Sequence, residues 1–83
     1  MNNITIEVDG DFIEIEIERV SGDRASILFH ISEDHRAAEL ISKLLKRGFT
    51  LTDNPHIEQK TRKIVSEILE ALGFLEIAKA LTV

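Results

Sequence analysis

Phe12-Ile13-Glu14-Ile15-Glu16-Ile17-Glu18-Arg19-Val20 is the stretch whose reading decides the fold. Ile13, Ile15 and Ile17 alternate with Glu14, Glu16 and Glu18. Side chains on a strand point to alternate faces, so this period marks a strand with one apolar and one acidic face. Isoleucine is stiff at its branched Cβ and suits a pleated surface. A helix would scatter the three isoleucines around its circumference. The apolar face therefore needs a core. On the other face neighbouring carboxylates lie about 7 Å apart, where like charges in water repel by roughly 0.6 kcal/mol per pair. That cost is tolerable. It protects a sheet against aggregation, and a basic partner would relieve it.

The flanking segments extend this strand into a meander. Ile4-Thr5-Ile6-Glu7-Val8 alternates in the same way, and Asp9-Gly10-Asp11 is a hairpin signal. Two registers keep the apolar faces together. A turn on Asp9-Gly10 sets Ile6 against Ile13 and Glu7 against Phe12. A type II′ turn on Gly10-Asp11 sets Val8 against Ile13 and Glu7 against Glu14. The second opposes like charges across the strands, so the first is expected. Ser21-Gly22-Asp23 makes the next turn, and residues 24–31 form a third strand with Ile27, Phe29 and Ile31 inward. Ser26, Leu28 and His30 then share the outer face with the glutamates and Phe12.

The period changes to helical after His30. Ser32 is a candidate N-cap, followed by Glu33 and Asp34 at the positive end of the helix dipole. Ala37, Leu40, Ile41, Leu44 and Leu45 form one stripe, and Gly48 ends a helix over 33–47. Residues 49–52 read as a packed connection. Asn54-Pro55 opens a second helix whose core stripe is Ile57, Thr61, Ile64, Ile68, Ala71 and Leu72, widened by Val65 and Leu69 and ended by Gly73. Residues 74–83 favour a short helix. Leu40-Ile41-Ser42-Lys43-Leu44-Leu45-Lys46 and Ile64-Val65-Ser66-Glu67-Ile68-Leu69-Glu70 echo each other ahead of Gly-Phe. Two glycine-capped amphipathic helices account for that echo without duplication.

The expected fold is α+β over a single domain, residues 1–83. A three-stranded antiparallel meander, order 1-2-3, is packed on one face by two main helices and a short C-terminal one. The expected core is Ile13, Ile15, Ile17, Ile27, Phe29, Leu40, Ile41, Leu44, Ile64 and Ile68. With 83 residues, two layers around one core is the ceiling.

Composition narrows the chemistry. There is no Cys, which removes disulfides, thiolate metal sites and thiol nucleophiles and makes the cytoplasm the expected location. The N-terminal Met1-Asn2-Asn3 is polar and unlike a signal peptide, and no apolar run suits a membrane helix, so no membrane partner is expected. Trp and Tyr are absent, which leaves few stacking platforms for bases or sugars. His30 and His35, with Glu33 or Asp34 near them, match no established metal-ligand spacing. No serine is set beside a base and an acid, and the glycines form no phosphate loop. No enzyme activity, metal or cofactor is expected.

Net charge is −5 but uneven. Residues 1–34 hold nine acids and two bases, net −7, and residues 35–83 hold six acids and eight bases, net +2. The expected function is therefore a small non-enzymatic binding protein. Glu7, Glu14, Glu16 and Glu18 would meet a basic surface on another protein, with Phe12 and Leu28 as apolar anchors and His30 beside them. A row of carboxylates can imitate phosphate charge, so one form of this is an inhibitor that occupies a nucleic-acid-binding site. The alternatives are a homodimer or assembly protein pairing through its outer sheet face or edge, and a nucleic-acid-binding regulator using Lys60, Arg62 and Lys63. Net acidity argues against the last.

Overall fold

The computed structural model describes residues 2–83; Met1, part of the polar N-terminus, lies outside them. The chain forms β1 (Asn3–Asp9), β2 (Phe12–Glu18) and β3 (Arg24–His30), then α1 (Asp34–Lys46), α2 (Glu58–Ala71) and α3 (Leu75–Thr82). The strands make one antiparallel sheet in the order β1-β2-β3. This is the expected βββααα arrangement.

The first hairpin takes the register that the charges disfavoured. Val8 pairs with Ile13, Ile6 with Ile15, Ile4 with Ile17 and Glu7 with Glu14. Gly10 has φ +58°, and no other residue type adopts a positive φ among the described residues. A turn on Asp9-Gly10 would require Asp9 in the left-handed region, whereas a turn opening on Gly10 places the positive φ on glycine alone. It also pairs Val8 with Ile13. Together these gains outweigh a Glu7–Glu14 repulsion of about 0.7 kcal/mol in water at about 6 Å. The second strand ends at Glu18 rather than Val20, because Arg19 N–H donates to the Asp23 carbonyl at 2.9 Å and starts the loop.

Ile4, Ile13 and Ile15 on the inner face are buried with Ala37, Ala38 and Ile41 of α1, Leu69 of α2 and Ile77 and Leu81 of α3. Ile6, Ile17, Phe29, Leu40 and Leu44 pack around them. Ile27 stays 38 % exposed, because β3 is an edge strand.

With Ile27, two further expected core residues lie outside, both on α2. Ile64 is 47 % exposed and Ile68 56 %. The buried side of α2 carries Glu58, Ser66 and Leu69 instead. α3 explains the exchange. It packs against both α1 and α2, which barely touch each other. Its Ile77, Ala78 and Leu81 fill the space that the α2 stripe was expected to fill. Ser66 Oγ donates to the Ala78 carbonyl at 3.1 Å, so two small residues let these helices approach closely. Glu58 is satisfied internally: Leu51 N–H donates to it at 3.0 and 3.1 Å, Thr52 N–H at 3.1 Å and Arg62 Nε at 2.7 Å. A buried carboxylate with a cation and two backbone donors is tolerated where an unpaired one would not be.

The ends of the helices are held by side chains. His30, not Ser32, is the cap after β3. Its Nδ1 accepts from Ser32 N–H at 3.1 Å, while Glu33 accepts from His30 N–H at 3.0 Å, a reciprocal box. Asp34 of α1 accepts from the N–H groups of Glu76 and Ile77 at 3.0 and 3.2 Å, capping α3 from another helix. α1 and α2 end alike: Phe49 N–H reaches the Leu44 carbonyl and Phe74 N–H the Leu69 carbonyl, both at 2.9–3.1 Å, across glycines with φ above +90°. Phe49 and Phe74 are then both buried. The shared cap is the source of the sequence echo.

The connection after α1 touches the sheet once. Thr50 bridges in parallel to Asn3, with Ile4 N–H donating to the Thr50 carbonyl at 2.9 Å. It covers one end of the β1 edge and forms no fourth strand.

Candidate interaction face

The pleat sorts the sheet into two sides. While the isoleucines go in, Thr5, Glu7 and Asp9 of β1, Phe12, Glu14, Glu16 and Glu18 of β2, and Ser26, Leu28 and His30 of β3 go out. The pairing sets these side chains in rungs across the strands. Asp9, Phe12 and His30 form one rung and Glu7, Glu14 and Leu28 the next. Thr5, Glu16 and Ser26 follow, and then Asn3, Glu18 and Arg24. All seven residues expected in the partner-binding group thus share one surface. The helices pack on the other side, around Ile4, Ile13 and Ile15.

Five carboxylates stand on this face, from Glu7, Asp9, Glu14, Glu16 and Glu18. One is neutralised within the chain: Arg24 Nε donates to Glu18 at 2.7 Å. Phe12 is 50 % exposed and Leu28 61 %. Phe12 meets the His30 ring edge-on, with centroids 6.1 Å apart. The His30 ring is oriented in turn by its cap bond from Ser32 N–H. Glu7, Asp9, Phe12, Glu14 and Leu28 line a shallow depression of about 200 Å³. Its lining is three carboxylates and two apolar side chains.

Asp9 is the member that sequence reasoning missed. The expected register left it in the turn, whereas the actual one sets it opposite Phe12. The available signal was the glycine at the first of two central turn positions, which favours the type II′ alternative.

The other candidate group is not assembled. Lys60 and Lys63 are exposed, but Arg62 is turned inward to Glu58, its side chain only 15 % exposed. α3 separates α1 from α2, so they do not form a helix-turn-helix pair. Next to His30, the Glu33 carboxyl is held below the usual carboxylate value, first by the His30 backbone N–H and then by Arg36. His35 Nε2 lies 2.8 Å from Glu39. Among the described residues no three His, Asp or Glu are grouped to hold a metal ion, and no helix is long and apolar enough to cross a membrane.

No protein-family model, curated protein or solved structure matches this chain.

Proposed function

We propose that the outer sheet face is the docking surface for a basic region of another protein, and that the protein acts by binding rather than by catalysis. The observation that carries this reading is the composition of the face. Four carboxylates that meet no cation among the described residues lie beside exposed Phe12 and Leu28 on the side the helices leave open. Apolar anchors beside a charged row suit a protein interface, where the anchors supply affinity and the charges steer encounter and reject wrong partners. Glu14 and Glu16 follow one another along β2 at about 7 Å, and Glu7 and Asp9 repeat that spacing on β1. Two parallel rows of negative charge resemble a phosphate backbone more than they resemble one acidic side chain. The partner is then a Lys/Arg-rich surface that ordinarily holds nucleic acid, and the protein is its inhibitor.

The carboxylates lie on an open face rather than in an apolar pocket of the kind that prepares a carboxyl for proton transfer. The test is affinity capture with the wild type and with Glu14→Lys/Glu16→Lys/Glu18→Lys. The expected result is a basic partner captured by the wild type, released by added salt and by nucleic acid, and lost with the triple variant. A partner retained by the triple variant contradicts the proposal.

A further inference from the structure

The exposed side of α2 has a pattern of its own. Ile57, Thr61, Ile64, Ile68 and Ala71 recur at alternating steps of four and three, which places them in one line along the helix. Ile57 is 44 % exposed, Ile64 47 %, Ile68 56 % and the adjoining Leu72 58 %. Four large apolar side chains exposed along one helix are more than the single scattered exposures that need no explanation. One flank turns toward the body of the protein, where Thr61 and Val65 meet Ile4, Ile6 and Leu51. The other flank is exposed and charged. Lys60 and Lys63 lie in its first half, Glu67 and Glu70 in its second. None of these four enters an ion pair among the described residues.

This charge order identifies the occupant. A second α2 laid parallel would set Lys60 and Glu67 against Val65 and Leu72 of the other copy, with no opposite charge to meet. Laid antiparallel, it sets the basic half of each helix against the acidic half of the other. With the two-fold axis at Ile64, Ile64 meets Ile64 of the second copy. Thr61 then meets its Ile68, Ile57 meets its Ala71, and Lys60 faces its Glu67. The same patch serves both chains, as a two-fold interface requires. We infer that α2 is a dimerisation helix, pairing antiparallel with a second copy of this chain through Ile57, Ile64 and Ile68 and the Lys60–Glu67 contacts. A seam of three isoleucines on a single helix is narrow beside a standard stable interface, so the dimer forms and dissociates with concentration. The seam lies in the helix layer and leaves both acidic sheet faces open.

The test is sedimentation velocity from about 1 µM to about 1 mM protein. The expected mass rises from that of one 9.4 kDa chain toward twice that value. Ile64→Glu should lower association at least 100-fold, with the circular dichroism melt at low concentration unchanged. Lys60→Glu should weaken association about tenfold, and adding Glu67→Lys should restore it. Ile64→Cys should give a disulfide-linked dimer on mild oxidation, whereas Glu70→Cys should not. A single-chain mass throughout, or a dimer that survives Ile64→Glu, overturns the inference. So does a dimer broken by Phe12→Ala and Leu28→Ala instead. Reversal of Glu14, Glu16 and Glu18 should leave the dimer intact, which separates this inference from the proposed role of the sheet face.

Discussion

α1 and α2 read alike in sequence and are used in opposite ways. Each has an apolar stripe at helical spacing, a serine within it and a Gly-Phe cap. α1 turns its stripe inward, with Ala37 and Ile41 fully buried. α2 turns its isoleucines out and buries Glu58, Ser66 and Leu69. The difference lies in what each helix meets. α1 lays its apolar stripe on the core and on α3, and only Asp34 at its start accepts from backbone N–H groups there. α2 meets the 51–52 backbone, which needs acceptors, and α3, which brings its own apolar surface. Amphipathicity shows that a helix has two faces, and its neighbours determine which face is covered.

The largest effects should separate the two stripes. Ile41→Ala should cost about 3–4 kcal/mol and lower the melting temperature by about 15 °C or more, because it empties a packed site. Ile68→Ala, measured by denaturant melts of dilute protein, should cost under about 0.5 kcal/mol. Similar losses at both positions would break the comparison. Next is the polar inner face of α2. Glu58→Ala removes the acceptor for Leu51 and Thr52 and the partner of Arg62, and should cost about 2–3 kcal/mol by urea unfolding. A near-neutral result would mean that this buried carboxylate contributes little to holding α2 in place.

Smaller still is the bond between α1 and α3. Asp34→Ala removes the cap on Glu76 and Ile77 and should cost about 1 kcal/mol, with amide exchange accelerated first in α3. The smallest effect is at Glu33. Its pKa is lowered in the folded protein, by the His30 N–H and then Arg36, so its contribution is present above the ordinary carboxylate value of 4.5 and fades as pH falls below it. Glu33→Gln should therefore flatten the stability profile on the acid side of that value and leave the slope near neutrality unchanged, as read from melts across pH.

How much of this was legible follows from the range of each interaction. The meander, its strand order and the acidic face come from period-2 alternation, which is local and strong in β2. The like-charge pair alone points to the wrong hairpin register, because a solvent-screened repulsion of about 0.7 kcal/mol is smaller than the cost of a left-handed Asp9. The burial of Glu58 and Arg62 and the cap from Asp34 to α3 were not legible. Glu58 lies seven residues from Leu51, and Asp34 lies 42 residues from Glu76. No spacing rule joins such pairs. The outer face was legible except for Asp9, whose place follows from the register alone.

α2 is inverted, with its isoleucines outside, Glu58 inside and Arg62 half-buried against it. The chain has no cysteine, so single substitutions report cleanly. The measurement is the thiol-labelling rate of Ile64→Cys against Leu69→Cys, at concentrations where the mass is that of one chain. Ile64→Cys is expected to react nearly as fast as a free thiol, while Leu69→Cys reacts only through unfolding. A protected Ile64→Cys beside a reactive Leu69→Cys would contradict it.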